Sequence, residues 1–134
     1  MLRPASFQLA SAVALIVLAA FLVVNAQTVA APKYDMSSEV KVKGVIEDVK
    51  TAADNTVHIT LKSDKGLLDV AVAPEKFLKE MEITFVKGET IEVLGSQVVA
   101  DGNPLLLARE VTRNGDVMLM RDDKGKPVWV GWPK

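Results

Sequence analysis

The chain carries one histidine, no cysteine and a scatter of aspartates, and these set the chemistry open to it. His58 lies in Val57-His58-Ile59-Thr60-Leu61-Lys62, where alternation turns it away from Val57, Ile59 and Leu61. A lone imidazole without thiolates makes a poor transition-metal site, and no serine triad forms around it. It reads as a surface histidine, with ligand contact as the lesser alternative. Asp48, Asp54, Asp64, Asp69 and the Asp122-Asp123 pair offer oxygen ligands. No Asp-x-Asp-x-Asp-Gly loop with a distal glutamate organises them, so turn chemistry explains most of them better than a calcium site. Met118 and Met120 flank Leu119 and offer soft sulfur, but methionine more often fills gaps in a core. These residues predict no metal, no cofactor and no catalytic constellation.

Two further sets point to binding. Arg109, Arg121, Asp122, Trp129 and Trp132 combine planar cations, a carboxylate and two indoles near the carboxyl end. An exposed tryptophan can grip a ligand, whereas a buried one seeks a partner for its N–H. The set is therefore a candidate ligand or partner surface, or else a tail that packs Trp129 over the end of the fold. The adjacency of Arg121 and Asp122 suggests a simple ion pair. The second set, Lys41, Lys43, Lys62 and Lys65, could form a local basic strip.

The elements that must position these residues follow from hydrophobic rhythm. Residues 39–43 alternate apolar and charged, Gly44 interrupts as a bulge or bend, and residues 45–49 continue the strand. Residues 57–62 and 67–73 form two more strands around the turn Asp64-Lys65-Gly66. Pro74 suits the first position of a two-turn helix that sets Phe77, Leu78 and Met81 on one face. A fourth strand spans residues 90–99, with Gly95 as a second bend. The turn Asp101-Gly102-Asn103-Pro104 leads to a fifth at 105–113, and Asn114-Gly115 precedes a final short strand at 117–121. Three strands, one helix, two strands and a hairpin-like extension predict an all-β fold with one short helix. The best match is a five-stranded Greek-key barrel of the OB-fold kind.

The amino terminus is a separate object. Of the 22 residues from Ala5 to Ala26, 18 are apolar, after a single positive charge at Arg3. Val24-Asn25-Ala26 supplies small residues before Gln27, and Thr28-Val29-Ala30 is a second candidate exit. This is the plan of a secretory signal, with an uncleaved anchor as the rival and a buried core helix as a distant third. Either leading reading exports the domain, most simply to a bacterial periplasm. The expected organisation is 1–26 signal or anchor, 27–38 linker and 39–134 barrel domain. Without cysteine, disulfides, lipobox acylation and c-type haem attachment are excluded. Removing residues 1–26 leaves a net charge of −2, so no whole-domain field attracts a polyanion.

Several stretches resemble small exported bacterial OB-fold proteins of the periplasmic BOF-like, stress-associated type. They are Val42-Lys43-Gly44-Val45-Ile46, Phe77-Leu78, residues 88–96, Leu107-Ala108-Arg109-Glu110-Val111, Leu119-Met120-Arg121-Asp122 and residues 125–131. The likeness runs from Glu39 to about Trp132, and its motifs are mostly bends, turns and core positions. It implies a non-catalytic binding or accessory role outside the cytoplasm, for a small ligand or a protein partner, and carries over no functional residue. The alternative is single-stranded nucleic-acid binding, which OB-folds perform with stacking aromatics on strands two and three. Here those strands contain no Phe, Tyr or Trp, which makes nucleic acid the weaker expectation. An enzyme is weaker still, because it needs a cleft with a perturbed acid or base.

Overall fold

The computed structural model describes residues 32–131. The signal or anchor reading of 1–26, the first part of the linker (27–31) and Trp132 lie outside the described residues. Six strands form one sheet: β1 (Glu39–Thr51), β2 (Thr56–Ser63), β3 (Gly66–Pro74), β4 (Thr90–Ala100), β5 (Asn103–Arg113) and β6 (Asp116–Leu119). Their order is β3-β2-β1-β4-β5-β6, and a parallel pairing of β3 with β5 (Val70 to Leu106, Ala71 to Leu107) closes β1–β5 into a barrel. β6 hydrogen-bonds to β5 outside the ring. The fold is the OB-fold-like barrel expected from the order of elements. One helix, α1 (Glu75–Glu80), joins β3 to β4.

β1 can serve two partners because it is long. Residues 39–45 pair with β4, and residues 45–51 pair with β2. Gly44 sits at the changeover, where a side chain would press on Leu61 Cγ, 2.9 Å from an added Cβ, and on the Lys62 carbonyl. The bulge expected at Gly44 falls later, between Ile46 and Asp48. Gly44 is required for close approach of β2 rather than for the bend itself. Gly95 does mark a bulge, between Leu94 and Gly95, and an added Cβ there would strike the Leu107 backbone.

The inward residues of each strand make the core: Ile46, Ile59, Leu61, Val70, Val72, Ile91, Val93, Leu106 and Val111 are essentially sealed from solvent. Each such aliphatic contributes about 1.5–3 kcal/mol when buried. The turns carry the chemistry their sequences foretold. Asp101-Gly102 and Asn114-Gly115 both have positive φ at their two central residues, the geometry that two-residue hairpins prefer.

Pro74 was expected at the first helical position. It is instead the last residue of β3 and the helix N-cap, with φ −60° and ψ 140°. That extended ψ keeps Pro74 opposite Thr56 in the ladder, so the helix begins at Glu75. α1 buries Phe77 and Leu78 over the barrel end. It ends in a reversal: Glu82, at φ 58°, donates its N–H to the Lys79 carbonyl, and Ile83 donates to Leu78. Paired bonds of this kind satisfy carbonyls that the helix terminus would otherwise leave open. The reversal also sets Ile83 against the core.

Candidate functional site

The carboxyl-terminal tail folds back over the barrel end. After β6, Met120 turns fully into the core and its N–H, like that of Arg121, reaches the Arg109 carbonyl. The sixth strand was expected to reach Arg121; this inward turn ends it at Leu119. A short antiparallel contact between Arg121 and Pro127 holds the return, with Gly125 at φ 82° in the turn. Trp129 then lies partly buried against the core, its ring 5.9 Å from that of Phe77. This is the packed-tail arrangement that the sequence offered as an alternative.

Arg121 is the pivot of this end. Its guanidinium stands 5.2 Å from the Tyr34 ring and 5.5 Å from the Trp129 ring, and Nη1 donates to the Gly125 carbonyl at 3.0 Å. Nε is buried without a hydrogen-bond partner, and burial draws the guanidinium below the usual arginine range. The ion pair expected between Arg121 and Asp122 does not form. Neighbours on an extended chain point to opposite sides. The Asp122 carboxylate accepts from the backbone N–H groups of Lys124 and Lys126, both at 2.9 Å, which keep it below the ordinary carboxylate range.

Arg109 is spoken for in a different way. Its Nε donates to Glu39 at 2.6 Å, and Nη1 lies 3.4 Å from Glu110. The Tyr34 hydroxyl also donates to Glu39. That bond, reinforced by Arg109, holds the Glu39 carboxyl below its ordinary range, while burial and then Glu39 push the Tyr34 hydroxyl above its own. Tyr34 thus joins Arg109 to Arg121, the ring on one and the hydroxyl on the carboxylate of the other. Sequence reading missed Tyr34 because it precedes the regular barrel rhythm, and Glu39 because it opens that rhythm as one more outward charge; both pair with residues 70 or more positions away. The segment around Tyr34, within the stretch read as linker, is fixed to the barrel: Asp35 donates its N–H to the buried Ser96 hydroxyl at 3.0 Å, and Ser38 shares a 2.8 Å bond with the same oxygen.

Beside this cluster lies an open apolar groove of about 530 Å³, lined by Phe77, Met81, Ile83, Val117, Met118, Leu119 and Val128. Val117 and Leu119 are each 55% exposed. β6 has β5 on one side and no strand on the other among the described residues. In a two-residue hairpin closed by Arg113 and Asp116, the N–H and C=O groups of Val117 and Leu119 face that open side.

The lysines also come together. Lys41, Lys43 and Lys65 border a cleft of about 430 Å³ between the start of β1 and the β2–β3 hairpin. Lys62 stands on the same outward face, opposite Val45 and Leu67 in the ladder. His58 lies outward as expected, but most of its side chain is covered, and its Nδ1 lies 2.9 Å from Asp69. Met120 fills the core; Met118 packs at its border.

No curated protein matches the chain. Among solved structures it is similar to a chain of the S. pombe Stn1–Ten1 complex, with 15% identity and a TM-score of 0.47 over 58% of this chain and 59% of that one. It therefore spans about three fifths of the length of that solved chain. The pattern of one family runs through residues 38–118, from the lead-in to β1, across every barrel strand and α1, into β6. With more than half its length inside that pattern, the chain belongs to the MamS/MamX magnetosome protein family.

Proposed function

We propose that this protein is a non-catalytic, exported accessory module of the magnetosome, and that it binds an extended segment of a partner protein along β6. The observation that carries this reading is the apolar groove beside a strand edge that no strand pairs among the described residues. A strand added to β6 would meet the outward backbone groups of Val117 and Leu119, and its alternate side chains would enter the groove. A small ligand fits less well. Small molecules favour sites that enclose most of their surface, and here Met81, Val117 and Leu119 stand about half in solvent. The likeness of the bends and core positions to small periplasmic OB-fold proteins supports the same non-enzymatic, extracytoplasmic role.

A photo-crosslinking residue placed at Leu119 in cells tests the reading. It should yield one predominant adduct, and Val117→Asp should abolish that adduct without lowering the melting midpoint. Absence of an adduct at Leu119 would remove the proposal. The address has its own test in intact mass. A mature chain starting at Gln27 or Ala31 indicates cleavage, and retention of residues 1–26 indicates an anchor.

A further inference from the structure

The lysine face carries more than charge. Along β1, Lys41, Lys43 and Val45 point outward while Val42 and Ile46 point in. The register places Val45 opposite Lys62 and Lys62 opposite Leu67, so one row crosses three strands as Val45–Lys62–Leu67. Leu67 is 69% exposed and Val45 is 40% exposed. Lys65 occupies the turn at the tip of the same hairpin. Two aliphatic side chains therefore stand in solvent among four lysines. Three carboxylates stand nearby and are loosely held, one of them, Glu92, opposite Lys43 in the ladder. Glu92 is 3.9 Å from Lys41, Glu47 is 3.9 Å from Lys62, and Asp64 shares the turn with Lys65. No ion pair within 4 Å engages Lys43 or Lys65 among the described residues.

We propose that this face docks on an anionic bilayer surface. The ammonium groups of Lys41, Lys43, Lys62 and Lys65 meet the phosphate-bearing headgroups, and Leu67 and Val45 enter the interfacial layer. Charge complementarity is the first support. Lysines at an anionic surface attract it additively, and aliphatic side chains between them add burial that a soluble polyanion cannot supply. The second support is where the chain enters the barrel. Lys33 shares a cleft with Leu68 and Gln97, and both of those residues also line the lysine cleft. The apolar run of the sequence ends at Ala26, and the six residues before Lys33 span at most about 22 Å when fully extended. The entry point of the stem thus lies next to the hairpin that bears Lys65 and Leu67. Nucleic acid fits this face less well, since β2 and β3 carry no Phe, Tyr or Trp on which a base could stack, and the one ring there, His58, is mostly covered and held by Asp69.

The chain has no cysteine, so Leu67→Cys gives a single site for an environment-sensitive fluorophore on the full-length protein. Vesicles of equal parts phosphatidylcholine and phosphatidylglycerol should shift its emission to the blue, while pure phosphatidylcholine vesicles leave it unchanged. The same label at Val117, on β6, should report water in both. The readout holds whether or not residues 1–26 are retained, because it senses the surroundings of position 67 rather than bulk association. Adding Lys43→Gln and Lys65→Gln should lower the ratio of buried to exposed label about twenty-fivefold, at about fivefold per lysine. The proposal is overturned if the label at position 67 stays in water on anionic vesicles, or if the label at Val117 shifts equally. It is also overturned if single-stranded oligonucleotide, and not the vesicles, moves the emission at position 67.

Discussion

Arg121 holds a permanent charge where most of its surroundings are rings. The planar guanidinium can lie against Tyr34 and Trp129 at once and still reach the Gly125 carbonyl. A lysine ammonium is a compact, strongly hydrated point charge and cannot do this. Arg121→Lys should therefore destabilise the protein by about 1–2 kcal/mol, read as a lower urea midpoint with an unchanged slope. Glu39 gives a pH-dependent counterpart. Its folded carboxyl binds a proton less readily than the unfolded one, because Tyr34 and then Arg109 favour the charged form. The stability it contributes is complete above the unfolded value near 4.3 and drains away as pH falls through the lower folded value. Glu39→Gln should flatten the fall of melting temperature between about pH 5 and pH 2; an acid limb as steep as that of the parent would refute the assignment. Neither residue announced this role in sequence. Arg109 and Arg121 stood out by type, but their partners are fixed by the closure of the barrel and by a tyrosine ahead of the first strand, and no periodicity connects positions so far apart.

Elements were more legible than side-chain partnerships. Period-two alternation marked β1, β2 and β4, the flanking turns bounded β3 and β5, and the Asp-Gly and Asn-Gly pairs marked two hairpins, because each signal is local and each turn has few solutions. The misplacements fell where one element hands over to another. Pro74 ends a strand rather than starting a helix, the first bulge follows Gly44 by two residues, and β6 stops short because Met120 must reach the core. In each case a tertiary demand overrides the local preference. Gly44→Ala should show the demand at the β1 changeover. A methyl group pressed on the Lys62 carbonyl and Leu61 should destabilise the fold by about 1–3 kcal/mol in chemical denaturation, whereas Gly102→Ala, which meets no atom within 4 Å, should act through its positive φ alone. The reversal after α1 offers the opposite sign. Glu82 occupies the left-handed region that glycine tolerates best, so Glu82→Gly should raise stability by about 0.5–1 kcal/mol.

For the whole molecule, two surfaces of different character sit on one barrel. The apolar groove gathers α1, the Ile83 reversal, β6 and the tail; the lysine face gathers β1 and the β2–β3 hairpin. Lys41, Lys43 and Lys62 could be named from strand alternation and Lys65 from the turn between two strands, since both are local properties. The groove could not, because its lining residues span positions 77 to 128 and meet only when the tail returns. Trp129 connects the groove to the core, and Trp129→Ala should cost about 2–3 kcal/mol in thermal or urea unfolding. A melting midpoint equal to the parent's would place the indole outside the packing.

Tyr34 gives the molecule one further property. Its ring presses on Gly125, and its neighbour Asp35 is tied to Ser96. A pull on the chain ahead of Tyr34 would therefore load the Tyr34–Arg121 contact and the Ser96 bonds before the ladder of β1. The two ends of the domain are stitched to each other as well as to the barrel, so the lead-in to β1 and the tail share one anchorage.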